Sequence, residues 1–101
     1  MRIITPGHVY AVEELENKGE QVVTFIQKEP IEGSTDLKLV NDGTTNEELL
    51  KVLVDRLNFL QAKAPCRENA IVITKLEESL MWLEKRTAGR VARGVEGTNA
   101  K

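Results

Sequence analysis

Residues 65–90 read PCRENAIVITKLEESLMWLEKRTAGR, and this stretch decides the fold of the chain. Steps of three and four residues through it select a heptad-like series with an apolar middle: Cys66, Asn69, Ile73, Leu76, Leu80, Leu83, Thr87 and Arg90. Residues at this spacing share one face of a helix. The sequence therefore predicts a long helix whose face toward a partner helix has polar residues, Asn69 and Arg90, at its ends.

A second helix is predicted just before this stretch. Thr45 and Glu48 have the spacing of a capping box, which places the helix start near Asn46. Two rows follow on neighbouring faces, namely Leu50, Leu53, Leu57 and Leu60, and Leu49, Val52, Arg56 and Phe59. Pro65 ends this helix, because proline disfavours helical geometry in the residue before it. The short break predicts an antiparallel hairpin whose second helix ends near Gly89.

Strand-forming residues dominate the first part of the chain. β-Branched and aromatic side chains concentrate in residues 2–5, 9–12, 21–27 and 36–40. Residues 21–27 form the clearest strand, whereas residues 29–35 are expected to be a loop.

These patterns together predict an α+β fold. A small N-terminal antiparallel β-sheet is followed by a long antiparallel two-helix hairpin, and the protein is expected to be oligomeric. We expect one domain over residues 1–101, with the sheet and loops in 1–43, the hairpin in 45–93 and an irregular tail in 94–101. Only four residues are aromatic, which favours oligomerisation as a second source of buried area.

The composition narrows the possible partners and compartments. The 14 basic and 16 acidic side chains leave a net charge of −2, which gives no general reason to expect binding to polymeric nucleic acid or to a membrane. A single cysteine excludes an internal disulfide, and a reducing compartment is the simplest expectation. The first ten residues lack an apolar run of signal-peptide length, so we expect a cytosolic protein.

Patterns typical of catalysis are weak. His8 is the only histidine, and the sequence contains neither a glycine-rich phosphate loop nor metal-ligand spacing. Cys66 is better explained as a small residue at a helix start than as a nucleophile. We therefore expect a protein that is not an enzyme, with no catalytic residues, no metal and no cofactor.

Arg86 and Arg90 are the most informative charged residues. They lie four positions apart on one helix face, and neither has an acidic residue three or four positions away, so the pair is expected to lack local neutralisation. Two guanidinium groups at this spacing could grip phosphate. The alternative is that arginines near a helix C-terminus only complement the helix dipole.

Phe59 and Asn69 flank the corner between the two helices. They could stack on a base and read its edge, or they could be a core residue and a backbone cap. Within one hairpin they lie roughly 25–30 Å from the arginine pair by helix rise. Two protomers packed antiparallel could bring all four residues together, which would create two equivalent sites at a dimer interface.

Four segments resemble the phage Thoeris anti-defence proteins of the first type: GHVY (7–10), TTNEE (44–48), the stretch 65–90 and RGVEGT (93–98). That family shares a helical hairpin domain with the anti-CBASS sponges of the second type. The resemblance implies a sponge that binds a cyclic ADP-ribose isomer such as 1''-3' gcADPR and keeps it intact, so that the Thoeris effector is not activated. It also implies cyclic di- and trinucleotides as ligands of some members, at separate sites in a hexamer, and thereby an effect on CBASS.

The resemblance also assigns individual residues. It implies that Phe59 is the ligand-contacting aromatic residue, that Asn69 is the ligand-contacting asparagine, and that Arg86 and Arg90 bind phosphate, with Arg67 as a weaker addition. Two departures stand out: the segment between Pro30 and Asp42 is short, and Cys66 stands where serine is expected.

The implied partner is a cyclic nucleotide signal in the host cytoplasm, bound by a homodimer or a hexamer. An alternative function is a structural or protein-binding helical module without a nucleotide ligand. Such a module would dock through Trp82 and the row that begins at Leu49.

Overall fold

The structure is a computed structural model that describes residues 1–100. Five strands precede two helices: β1 (Arg2–Thr5), β2 (Val9–Glu13), β3 (Glu20–Thr24), β4 (Gln27–Pro30), β5 (Leu37–Asn41), α1 (Asn46–Lys63) and α2 (Arg67–Ala92). All strand pairs are antiparallel, so the predicted α+β class is confirmed. The described chain divides into two compact units, Met1–Thr45 with Gly97–Ala100, and Asn46–Glu96. The assignment of one domain to the whole chain stays a prediction.

The first unit contains a three-stranded sheet in the order β1-β2-β3. Ala11 in the central strand is the most buried residue, and the rings of Tyr10 and Phe25 meet edge to face with centroids 5.9 Å apart. Arg2 and Glu20 form an exposed ion pair in which Arg2 Nη2 lies 3.0 Å from Glu20 Oε1. The hydrogen bond from Arg2 lowers the pKa of the Glu20 carboxyl group. The pair therefore links the two outer strands of the sheet.

The single strand predicted over residues 21–27 is wrong, because it divides between two sheets. β3 ends at Thr24, and Phe25 pairs with Thr44 in an isolated parallel bridge. β4 then begins at Gln27 and pairs with β5. The side-chain pattern marks all seven residues as strand-forming but contains no signal for the change of partner.

The two-stranded sheet β4-β5 corrects a second expectation. Residues 29 and 30 were expected to lie in a loop, yet Glu29 and Pro30 end β4, and Pro30 pairs with Leu37. A proline is compatible with this position because both strands of a two-stranded sheet are edge strands. At the end of such a strand, no hydrogen bond between strands requires the N–H group that proline lacks. The strand expected at residues 36–40 is confirmed as β5, shifted by one residue.

The hairpin helices begin and end close to their predicted positions. α1 starts at Asn46 and ends before Pro65, as predicted. Cys66 is the N-cap of α2, and its Sγ accepts a hydrogen bond from the backbone N–H of Asn69 at 3.4 Å. The side-chain amide of Gln61 bonds to both the N–H and the carbonyl group of Cys66, at 3.0 and 2.8 Å. These bonds fix the corner between the helices.

α1 and α2 pack along the predicted apolar face of α2, where Ile73 is buried and Asn69, Leu76, Leu80, Leu83 and Thr87 are half-buried. The predicted row on α1 is wrong at one position, because Leu53 is exposed and its neighbour Val54 is half-buried instead. Val52 and Phe59, on the other row, are each 59% exposed. The hairpin thus leaves apolar side chains of α1 uncovered within one chain.

α2 continues to Ala92, three residues beyond the predicted end at Gly89. The tail then folds back on its own unit, since the backbone N–H of Val95 donates to the carbonyl oxygen of Arg90 at 3.0 Å. Thr98 forms an antiparallel bridge with Asp36, and both residues belong to the first unit. Lys101, the last residue of the predicted tail, lies outside the described residues. Within residues 1–100, no helix has the length and apolar content that a membrane span requires.

Candidate functional site

A cationic concavity of about 550 Å³ lies on the C-terminal half of α2. It is lined by Trp82, Lys85, Arg86, Gly89, Arg90 and Arg93. We call this surface the α2 cationic face. Helical spacing creates it, because steps of three and four residues place side chains on one side of the helix. Four of its six residues carry a positive charge and none carries a negative charge, although the whole chain has a net charge of −2.

Trp82 forms the aromatic part of the α2 cationic face. The residue is 55% exposed, and the Lys85 ammonium group lies 4.8 Å from the centroid of its indole ring. A cation at this distance is attracted by the negative face of the ring. The concavity therefore offers both an aromatic surface and positive charge.

Arg90 is the only charged residue that is buried within residues 1–100, with 7% of its surface exposed. Its Nε donates to Glu96 Oε2 at 3.2 Å, and its Nη2 donates to the carbonyl oxygen of Val95 at 2.9 Å. The expectation that the arginine pair lacks local neutralisation is thus wrong for Arg90. Glu96 lies six positions away and beyond the helix end, so the helical spacing rule of three or four residues does not reach it.

Arg86 differs from Arg90 in both burial and pairing. It is exposed, and within the described part of the chain it has no ion pair with a carboxylate. A phosphate could reach Arg86 directly, whereas a phosphate that binds Nε of Arg90 has to displace the Glu96 carboxylate. The two arginines line one concavity, but only Arg90 forms an ion pair with a carboxylate among the described residues.

Asn69 lies far from the arginine pair along the same continuous helix. It precedes Arg86 by 17 residues and Arg90 by 21, which corresponds to about 26 and 32 Å at 1.5 Å per residue. Its backbone N–H is occupied by Cys66, while its half-buried side chain makes no hydrogen bond within residues 1–100. The structure therefore brings Arg86 and Arg90 together but does not bring Asn69 to them.

Phe59 and Arg67 line two further shallow concavities of the hairpin. Phe59 belongs to one of about 470 Å³, and the Lys63 ammonium group lies 4.6 Å from its ring centroid. Arg67 belongs to one of about 340 Å³. The roles assigned to Phe59, Asn69, Arg67, Arg86 and Arg90 stay predictions.

Sequence reasoning missed four residues of the α2 cationic face as site candidates: Trp82, Lys85, Gly89 and Arg93. Their spacing from Arg86 was a usable signal, since Trp82, Gly89 and Arg93 lie four positions before it and three and seven after it. Elsewhere, the described residues include no group of three His, Cys, Asp or Glu side chains that could hold a metal ion.

Comparison with known proteins agrees with the resemblance found in the sequence. A protein named Thoeris anti-defense 1, from Bacillus phage SBSphiJ7, is 56% identical to this chain over 61 residues. The match covers 59% of this chain and 43% of that relative, so it spans less than half of the relative's length. The sequence model of the family described as "Acb2/Tad1, hairpin domain" matches residues 19–88, which include most of both helices. The chain therefore belongs to the Acb2/Tad1 hairpin-domain family.

Proposed function

We propose that this chain is a phage anti-defence protein that binds a cyclic nucleotide immune signal and holds it intact in the host cytoplasm. The preferred ligand is an isomer of cyclic ADP-ribose, and cyclic di- and trinucleotides are further candidates. Family membership and the 56% identical phage relative support this role. By holding a cyclic ADP-ribose isomer, the protein deprives a Thoeris effector of its activator. By holding a cyclic di- or trinucleotide, it would do the same to a CBASS effector.

The α2 cationic face is the observation that carries the proposal. A pyrophosphate has at least two negative charges, and guanidinium groups bind phosphate oxygens through paired hydrogen bonds. Arg86 and Arg90 lie on this face beside Trp82, which offers a surface for stacking. Charge and aromatic surface are the two features that a nucleotide diphosphate requires.

Binding without reaction agrees with the chemistry of the arginines and the tryptophan of the α2 cationic face. A guanidinium group stays protonated in proteins, so an arginine cannot take a proton from an attacking water molecule. Indole is a hydrogen-bond donor only and is equally unsuited to act as a base. We therefore propose that the protein is not an enzyme and that its ligand leaves the site unchanged.

A second protomer completes the proposed site. Because Asn69 lies about 26 Å or more along α2 from Arg86, one hairpin cannot present both to one small ligand. An antiparallel partner could bring its own Phe59 and Asn69 to the α2 cationic face, and symmetry would then create two equivalent sites. The 59% exposure of Phe59 leaves its ring available for such a contact. A homodimer is sufficient for this arrangement, and a hexamer would contain three of them.

Mass action sets the affinity that such a protein needs. To silence a signal, it must keep the free ligand below the dissociation constant of the effector, so nanomolar binding is expected, or about 12 kcal/mol. A thermal-shift panel of 1''-3' gcADPR, ADP-ribose and a cyclic dinucleotide tests the proposal, because a ligand that binds the folded state raises Tm. The absence of a shift with every compound would instead favour the protein-binding module.

Two substitutions then test the arginines directly. Arg86→Ala and Arg90→Ala should each weaken binding of 1''-3' gcADPR at least about tenfold by calorimetry, since each removes a charge-assisted contact. Lys38→Ala is the control for the loss of one exposed positive charge, because Lys38 lies on β5 and does not line the α2 cationic face or the concavity that contains Phe59. Unchanged affinity in both arginine variants would show that neither Arg86 nor Arg90 binds the phosphates of the ligand.

A further inference from the structure

We infer that Gly89 and Trp82 form a subsite for the purine ring of the nucleotide, beside the arginines that bind its phosphates. This inference rests on the proposed function, in which Trp82 already offers a stacking surface, and it adds Gly89 to the site and the purine ring as the group bound there. Neither the family match nor the resemblance assigns a role to Gly89 or Trp82. The subsite lies on one helix of one protomer.

Gly89 is the first observation behind this subsite. It lies inside α2, three residues before the helix ends at Ala92, where a glycine is less favourable than an alanine. Its backbone φ is not in the left-handed region, and a Cβ atom added there would meet no atom within 4 Å. Neither backbone conformation nor crowding within the chain therefore requires glycine at this position.

The contrast with Gly43 shows what a structurally required glycine looks like in this chain. A Cβ atom at Gly43 would lie 2.5 Å from the carbonyl oxygen of Thr24 and 2.6 Å from the carbonyl carbon of Phe25. Gly89 has open space instead, and that space belongs to the α2 cationic face. The missing side chain leaves room for a group that is not part of the chain itself.

Trp82 indicates that this group contains a planar ring. Trp82 and Gly89 lie seven positions apart, or about 10 Å along the axis, and Arg86 lies between them on the same side of the helix. The half-exposed indole can stack on a planar ring above Gly89, while Arg86 and Arg90 hold the attached phosphates. A purine nucleotide has its planar ring and its phosphates in this arrangement.

The experiment compares substitutions at Gly89 with a neighbouring control. Gly89→Ala and Gly89→Leu should each raise the Tm of the ligand-free protein by a few degrees, because both side chains favour the helix more than glycine does. At the same time they should weaken binding of 1''-3' gcADPR, about fivefold for alanine and at least about fiftyfold for leucine, by filling the subsite. Ala88→Leu is the matched control, since Ala88 is exposed in the same helical turn but does not line the concavity. It should leave the affinity unchanged.

Trp82 provides an independent readout because it is the only tryptophan in the chain. Saturation with 1''-3' gcADPR should quench its fluorescence. Trp82→Ala should weaken binding about 5- to 150-fold, as expected for the loss of one stacking contact. Trp82→Phe, which keeps an aromatic ring, should restore most of the affinity.

The outcomes separate the subsite from the proposed function. If wild type binds the probe and Gly89→Leu binds it equally well, the subsite is wrong and the proposed function stands. If Gly89→Leu changes the native mass of the ligand-free protein, Gly89 serves close packing against a second copy, and the subsite is again wrong. If wild type binds neither 1''-3' gcADPR, ADP-ribose nor a cyclic dinucleotide, the proposed function itself fails.

Discussion

Replacing Arg90 with alanine should destabilise the ligand-free protein, whereas the same change at Arg86 should not. The two arginines lie one helical turn apart on the same concavity, which makes them a matched pair. Arg90 is buried and donates to Glu96 and Val95, while Arg86 is exposed. Arg90 is therefore part of the fold as well as of the proposed site.

The magnitude follows from the two bonds of Arg90. A hydrogen bond to a charged group contributes about 1.5–3 kcal/mol to stability, and one between neutral groups about 0.5–1.5 kcal/mol. The Glu96 side chain is 42% exposed and regains water when the pair is broken, so the sum has to be reduced. We expect Arg90→Ala to lower the free energy of unfolding by about 1–2 kcal/mol, or roughly 4–16 °C in Tm. Arg86→Ala should stay within about 0.5 kcal/mol of wild type.

Thermal unfolding followed by circular dichroism at 222 nm, without ligand, measures this difference. Glu96→Ala should reproduce a large part of the loss, and the double variant Arg90→Ala with Glu96→Ala should be less destabilised than the sum of the two single variants. Equal Tm values for Arg86→Ala and Arg90→Ala would refute the argument, because they would mean that the bonds to Glu96 and Val95 contribute nothing to the fold.

Three further predictions concern the rest of the chain. Cys66→Ser should raise Tm by a few degrees, because a hydroxyl oxygen accepts the N-cap bond from Asn69 better than sulfur does; a drop in Tm would contradict this account of the cap. Gly43→Ala should lower the free energy of unfolding in denaturant titrations by about 2 kcal/mol or more, since its Cβ would meet backbone atoms; wild-type stability would show that the strand junction can move. The pKa of Glu20 should lie below that of an ordinary glutamate in an NMR titration and return to normal in Arg2→Ala. Because this pKa is lowered in the folded state, the stabilising contribution is present above the unfolded pKa of about 4.3 and is lost as the pH falls through the folded value.

The helical hairpin could be predicted in detail because its signals are local. Periodic apolar residues, the stop at Pro65 and a small residue at position 66 each act within one or two turns of helix. The change of partner after Thr24 could not be predicted in the same way. It depends on Thr44, twenty residues away, which takes the backbone bonds that would have continued the first sheet.

The candidate site could likewise be predicted only where its signals are local in sequence. The spacing of Arg86 and Arg90 predicts that they share a face, and they do line one concavity. The pairing of Arg90 with Glu96 depends on how the tail turns back after Arg93, which no helical rule describes. The roles proposed for Phe59, Asn69 and Arg67 would require a ligand and a second protomer, whose contacts no rule of helical spacing describes.

We propose above all that this chain binds a cyclic ADP-ribose signal and releases it unchanged. The protein is incubated with 1''-3' gcADPR, separated from free ligand, denatured by heat, and the released compound is identified and quantified by mass spectrometry. A variant with both Arg86→Ala and Arg90→Ala serves as the control for binding to the α2 cationic face. We predict that wild type releases about one intact ligand per chain, as expected for two equivalent sites in a dimer, and that the double variant releases almost none. Recovery of a linear hydrolysis product, or equal recovery from both proteins, would contradict the account.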